Sequence, residues 1–228
     1  IHFHLGSPIF ELEPYEEAVT RVLAFAAEMR EIGLDMQEFS PGGGYAIAYT
    51  EADEPPPPSA YAEVIIKALK EGCAQHNMPE PTLIIEPGRS ITGPAGVAVY
   101  TVGAIKNVPG VRTFVSVDGG MGDNIRPALY GSEYVAVTAD RATVEPDVTV
   151  TIAGKYCESG DVLVNDAKIA SVTAGNLIAI PASGAYAPSM ASTYNANGRP
   201  AIVMVADGKA KLIRRRETYE DLMSQDVI

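Results

Sequence analysis

The sequence predicts an α/β segment followed by an all-β segment, and three observations predict it. Strand-like and helix-like runs alternate over residues 1–95, and each strand run ends in glycine or polar residues. From Gly96 to the end, residues 96–228, that alternation gives way to short β-branched runs separated by turn clusters. The chain has 228 residues, 46% of them hydrophobic and 20% charged, enough apolar material for one large domain or two modest ones.

Taken in order, Ile1, Phe3 and Leu5 alternate with His2 and His4, which places both histidines on one face of a short strand before Gly6-Ser7. A helix is predicted from Glu13 to Arg30, with Val19, Val22, Leu23, Ala26 and Met29 as its apolar stripe and Gly33 as its stop. The run Met36 to Phe39 is a second strand entering the loop Ser40-Pro41-Gly42-Gly43-Gly44. The acidic, proline-rich stretch Glu51 to Pro58, the one low-complexity piece, reads as a surface loop with Ser59 as N-cap of the next helix. In that helix Tyr61, Val64, Ile65, Ala68 and Leu69 form the stripe, and Thr82 to Ile85 is a third strand ending in Glu86-Pro87-Gly88-Arg89. Strand, loop and helix in alternation imply parallel strands joined by right-handed crossovers. A closed eight-stranded α/β barrel takes roughly 250 residues, so this segment does not close one alone. The β segment is read from Val97 to Ile105, Val111 to Val117, Tyr134 to Val137, Val148 to Ile152, Leu177 to Pro181 and Ala201 to Val205, a mostly antiparallel sandwich or barrel.

Composition also excludes function classes. The net charge of -12 repels a phosphate backbone and argues against a nucleic-acid partner. No run approaches the roughly 18 apolar residues of a membrane span, so a soluble protein is expected. Cys73 and Cys157 make no disulfide framework and fit a reducing, cytoplasmic setting. The opening Ile1-His2-Phe3-His4 has neither an initiator Met nor the pattern of a signal peptide, and reads like the middle of a strand.

The strand ends gather the residues with chemistry. Glycines let backbone approach an anion closely, the Ser7 hydroxyl can donate to it, and Arg89 suits a bidentate contact with phosphate or carboxylate. Taken singly, each has a plainer reading. A glycine triplet is often only a turn and a strand histidine only a satisfied neighbour. On that plainer reading Arg126 makes a surface ion pair with Asp123, and Tyr130 and Tyr186 are core residues of the β segment. Likewise Cys73 is structural, His2 fills a barrel interior, His76 is a solvated helix end, and Arg214 to Arg216 are an exposed segment balanced by Glu217, Glu220 and Asp221.

Several motifs occur together and in order: His4-Leu5-Gly6-Ser7, Gly42 to Gly44, Glu86 to Arg89, Val117 to Met121, Ile125 to Tyr130, Cys157-Glu158-Ser159-Gly160-Asp161, Gly184-Ala185-Tyr186 and Ser189 to Ser192. Over essentially the whole chain this set resembles the alanine-racemase-like, pyridoxal-phosphate-dependent ornithine, diaminopimelate and arginine decarboxylase family, and within it the diaminopimelate branch. The resemblance implies the last part of a TIM-type (β/α)8 barrel over residues 1–95 and a β domain over 96–228 carrying the substrate-binding and proton-donor motifs. It implies pyridoxal phosphate as cofactor and no metal. By resemblance His4 stacks on the pyridine ring, while Ser7, Gly43, Gly44, Glu86, Pro87, Gly88, Arg89 and Tyr186 hold ring and phosphate. Glu86 keeps the ring nitrogen protonated. Arg89, Arg126, Tyr130, Glu158 and Tyr186 recognise an amino-acid substrate with a distal carboxylate and ammonium. Cys157 returns a proton after carbon dioxide leaves, and is supplied by the neighbouring subunit of a homodimer.

The implied activity is decarboxylation of meso-diaminopimelate to L-lysine in lysine biosynthesis. The alternatives are a related decarboxylase acting on carboxynorspermidine, ornithine or arginine, or a non-catalytic regulatory homologue. Departures from the pattern are Ser40-Pro41 before the glycines and Gly154-Lys155-Tyr156 before Cys157. The lysine to which the family attaches its cofactor has no counterpart here: none of the seven lysines ends a barrel strand. The chain alone is therefore expected to be inactive.

Overall fold

The structure, a computed structural model, describes residues 1–227. It divides into two compact units, Ile1–Ala95 and the residues from Gly96 onward.

The first unit packs two long helices, α1 (Glu13–Arg30) and α2 (Pro58–Gln75), on a narrow parallel sheet. Val19, Leu23 and Ala26 of α1 and Ala68, Leu69 and Cys73 of α2 recur at helical spacing and are buried, so the two stripes face a common core. Phe39 joins them, with Phe3 edge-on at 5.8 Å. Gly72 lets the helices close, because a methyl there would stand 2.4 Å from Leu23 Cδ1. Gly33, at φ +105, turns the chain out of α1, and Leu34 N–H returns to Met29 O at 3.1 Å.

The sheet is sparer than the sequence suggests. Only β1 (Glu38–Phe39) and β2 (Thr82–Leu83) form a ladder, in parallel register. The Ile1 to Leu5 run contributes one parallel bridge, His2 to Ser40, and Gly43 bridges Glu86. α2 begins at Pro58 rather than after a Ser59 cap, since the fixed φ of proline suits the first helical position. His76, at the end of α2, is half-buried rather than solvated.

The second unit holds a six-stranded mixed sheet. It contains β3 (Ala98–Val108), β4 (Arg112–Val117), β5 (Val137–Thr138), β6 (Val148–Ala153), β7 (Val162–Ile169) and β8 (Leu177–Ile180), in the order β5-β8-β3-β4-β6-β7. All neighbours are antiparallel except β4 and β6, which run parallel. β3 pairs with β8 over Ala98 to Thr101 and with β4 from Val102, with a register shift before Ile105 that bends the strand. The two ends of the order approach each other, and Thr138 Oγ1 donates to Ala170 O at 2.7 Å just beyond β7. The sheet is therefore a nearly closed barrel, filled by Val115, Ile152, Ile169, Ile178 and Ile180. Beyond it, β9 (Ile202–Ala206) and β10 (Lys209–Arg214) form a separate antiparallel hairpin across the left-handed pair Asp207-Gly208.

Candidate active site

In the first unit, three strand ends converge. Gly43 lies so close to Glu86 that a Cβ would stand 1.9 Å from its carbonyl oxygen, and a Cβ on Gly44 would stand 2.2 Å from Gly6 O. Gly42 and Gly44 also have φ of +75 and +94. No larger residue fits this turn. The Tyr15 hydroxyl, from the first turn of α1, donates to Gly43 O at 2.7 Å and fixes the triplet from below.

Around this turn stand the side chains singled out by sequence. The Gly43 N–H points at His4 Nδ1 at 3.5 Å, and His4 is exposed. Glu86 is half-exposed; its Oε1 lies 3.1 Å from His2 Nε2 and accepts from Ser40 Oγ at 3.2 Å. His2 is thus an exposed partner of Glu86, not an interior filler. Ser40, in one of the two segments departing from the family pattern, is buried, and its Oγ also accepts the Gly42 N–H. Pro87 caps the short helix α3 (Gly88–Thr92), which carries Arg89. Arg89 is buried, 4% exposed as a residue. Its Nη2 and Nε reach Ser7 Oγ at 3.2 and 3.4 Å, Nη1 donates to the Tyr49 hydroxyl, and the group lies 5.7 Å from the Tyr49 ring centre. Tyr49 and Tyr15 were not among the residues read from sequence. Neither sits in a motif, and only their positions beside the glycine turn give them a role.

In the second unit three turns interlock. The Gly119–Asp123 turn, the turn Gly154–Asp161 and the segment Ser189–Asn195 are joined by Lys155 N–H to Gly119 O, Ser192 N–H to Gly122 O, both at 2.9 Å, and Cys157 N–H to Asn195 Oδ1 at 3.2 Å. Cys157 is exposed, as is Glu158, whose Oε1 accepts the Ser159 N–H at 2.9 Å. Next to them is α4 (Arg126–Tyr130): a Cβ on Gly160 would touch Ala128 Cβ at 4.0 Å. Arg126 is buried, not the surface residue of the plainer reading, and donates to Tyr134 Oη at 3.2 Å and Ser132 Oγ at 3.1 Å. Tyr130 lies exposed 5.5 Å from that guanidinium. Tyr186, 39% exposed, precedes the short helix α5 (Ala187–Met190). Both tyrosines are surface residues, so neither fills the core. The second unit therefore brings Arg126, Tyr130, Cys157 and Glu158 onto neighbouring turns.

Burial, aided by the Asp123 and Asp161 carboxylates, pushes the Tyr156 phenol up to about 12. Burial likewise raises the Cys73 thiol, which stands among α1 and α2 and touches neither candidate site. The Arg214 to Arg216 run is exposed and locally balanced, with Arg215 paired to Asp221.

Residues 1–93 match the family described as pyridoxal-dependent decarboxylase, pyridoxal binding domain. The whole chain aligns at 46% identity with the diaminopimelate decarboxylases of Synechocystis sp. and of Bacillus subtilis, covering 49% and 52% of those proteins. Among solved structures, diaminopimelate decarboxylase from M. jannaschii superposes with a TM-score of 0.92 at 36% identity over 100% of this chain and 51% of its own. That from Helicobacter pylori, complexed with L-lysine, gives 0.85 at 35% identity over 98% of this chain and 53% of its own. The chain spans about half the length of the curated relatives it matches. A glycine turn flanked by serine and arginine in the first unit, and likeness along all of this chain, lead to one conclusion: residues 1–93 are similar to the pyridoxal binding domain of pyridoxal-dependent decarboxylases, and along its whole length the chain is similar to diaminopimelate decarboxylases.

Proposed function

We propose that this chain is part of a diaminopimelate decarboxylase that removes carbon dioxide from meso-diaminopimelate to give L-lysine, and that these 228 residues alone are inactive. The observation that carries the reading is 46% identity along the entire chain to proteins of that name. Residues 1–95 are read as the last part of a TIM-type barrel and residues 96–228 as the β domain, a sandwich or barrel. The protein is read as a cytoplasmic homodimer. Among the described residues no helix is long and apolar enough to cross a membrane.

The first unit fits pyridoxal phosphate. Its glycine turn lets the three strand ends pack directly against one another, and Ser7 and Arg89 supply hydroxyl and guanidinium donors beside it, the chemistry an anionic phosphate needs. On this reading Ser7, Gly43, Gly44 and the Pro87 to Arg89 turn hold the phosphate, and Tyr186 is a further phosphate ligand. His4 covers the ring face, and Glu86 holds a proton on the ring nitrogen. The cofactor, when bound, supplies the sink for the electron pair released with carbon dioxide. Arg126 and Arg89 bind carboxylates, and Tyr130 adds a hydroxyl. Glu158 binds the distal ammonium, a charge arrangement that suits a zwitterionic end better than the simple amine of ornithine. Cys157 gives a proton to the substrate carbon. Its exposure, with that of Glu158 and Tyr130, leaves these groups accessible to the cofactor unit of a second copy.

The test is turnover of the full-length protein, loaded with pyridoxal phosphate, on meso-diaminopimelate, ornithine and arginine. Diaminopimelate is expected to give lysine and carbon dioxide with the highest kcat/KM. Preference for ornithine or arginine, or absence of turnover on all three, overturns the reading.

A further inference from the structure

Asp161 stands at the root of β7 and is 4% exposed. Its two carboxylate oxygens serve two different turns. Oδ1 accepts the Met121 N–H at 2.6 Å, and Oδ2 accepts the Tyr156 N–H at 2.7 Å. Its backbone closes the same region, because Gly154 N–H donates to Asp161 O at 2.9 Å and Asp161 N–H to Glu158 O at 3.2 Å. Cys157 and Glu158 therefore lie in a turn closed by Asp161 on one side and the Gly154 and Tyr156 N–H groups it binds on the other.

The surroundings are cut to this carboxylate. A Cβ on Gly120 would stand 2.4 Å from Asp161 Oδ1, and one on Gly154 would stand 2.2 Å from Oδ2. Glycine at both places is what lets the carboxylate reach both turns. Burial raises the carboxyl's pKa, while the Tyr156 and Met121 N–H groups and the Lys155 charge pull it back.

We propose that Asp161 is the positioning residue of the second unit's site: by tying the Gly119–Asp123 turn to the turn carrying Cys157 and Glu158, it sets where those side chains stand relative to Arg126. The proposal rests on the proton-donor reading of Cys157. Asp161 touches neither substrate nor cofactor; it acts through backbone N–H bonds. A neutral amide in its place keeps one acceptor and presents an N–H₂ to the other donor, which releases one turn. A displacement of about 1 Å of a reacting group lowers turnover roughly a hundredfold.

The test is a double-mutant cycle in the full-length, cofactor-loaded protein, reading kcat, KM for diaminopimelate and the absorbance of bound pyridoxal phosphate. Asp161→Asn is expected to lower kcat about a hundredfold with the cofactor absorbance unchanged. In a Cys157→Ala background the same substitution should leave kcat nearly unmoved, because no thiol remains to be misplaced, while a rise in KM through displaced Glu158 persists. Loss of the same factor in both backgrounds means that Asp161 serves the fold at large, and overturns the proposal. Should Cys157→Ala alone keep wild-type kcat, the reading of Cys157 has failed, and that is visible before any Asp161 variant is compared. Gly154→Ala crowds the carboxylate while keeping its charge. It should reproduce the kcat loss, and it replaces Asp161→Asn in the cycle if the latter does not fold. In the wild-type protein the Met121 and Tyr156 amides should exchange slowly and together; exchange of either at an open-loop rate removes the tie and overturns the proposal.

Discussion

Tyr15, Tyr45 and Tyr61 are the same residue type in one cluster, yet their hydroxyls have different fates. Tyr15 donates to Gly43 O, and Tyr61 donates to Ile9 O at 2.6 Å and accepts from Ala46 N–H. The Tyr45 ring stacks on Tyr61 with centroids 4.4 Å apart, and its hydroxyl is buried with no hydrogen bond. An unsatisfied buried hydroxyl costs about 1–3 kcal/mol, whereas a made bond contributes about 0.5–1.5 kcal/mol. Tyr45→Phe should therefore leave thermal stability unchanged or raise it, and Tyr15→Phe should lower it; denaturant melts of both variants check the opposite signs. Glu158 invites a functional substitution. Glu158→Ala in the full-length protein should raise KM for diaminopimelate roughly tenfold or more, since a lost charged hydrogen bond is worth about 1.5–3 kcal/mol. Cofactor affinity should hold; an equal loss of both counts against its assigned role. At this scale the glycines, Ser7 and Arg89 were legible because they lie in contiguous motifs at strand ends. Tyr15, Tyr49 and the Asp161 contact to Met121 were not, because their partners are 28, 40 and 40 residues away in sequence.

Elements with a clear period were legible and short ones were not. The α1 and α2 stripes follow helical spacing closely enough that both cores could be read off. The third β run was placed at Tyr134 to Val137, but β5 is only Val137–Thr138, because pairing with β8 and not propensity decides where it starts. β7 was missed altogether. Asn165, Asp166 and Lys168 break its apolar pattern, and Asp166 has φ +48, yet Leu163, Val164, Ala167 and Ile169 are buried against the barrel. β10 was not among the β runs read from sequence, since Lys209, Lys211 and Arg214 interrupt any apolar pattern; it is a strand by pairing with β9 alone. The glycine turn makes the sharpest prediction for an element. Gly43→Ala forces a methyl into the Glu86 carbonyl, a clash that only separation of two strand ends relieves. The full-length variant should lose pyridoxal phosphate affinity by roughly tenfold or more, given an overpacking penalty of about 1–3 kcal/mol, measured by absorbance titration. Unchanged affinity would show that the turn does not form the cofactor cradle.

For the whole molecule, both units store neutral phenols. Burial raises Tyr15, Tyr45 and Tyr61 in the first unit, and raises Tyr100 and Tyr156 in the second. The folded state keeps these protons while the unfolded chain releases them near the ordinary tyrosine value of about 10. Their contribution to stability is therefore complete below that pH and is lost as pH rises through it toward the folded-state values. A tyrosinate absorbance titration should show a fraction of the tyrosines ionising only together with loss of far-ultraviolet circular dichroism. Smooth ionisation of all eleven tyrosines near pH 10, with structure intact, would contradict it. The parallel contact between β4 and β6 has its own effect on how the molecule is assembled. Parallel neighbours cannot be joined by a tight turn, so the chain must travel back along the sheet between them. That return path, Asp118 to Asp147, is the stretch that holds Met121, Arg126 and Tyr130. The barrel's one break in antiparallel order is thus what gives the chain room to carry half of the second unit's candidate site.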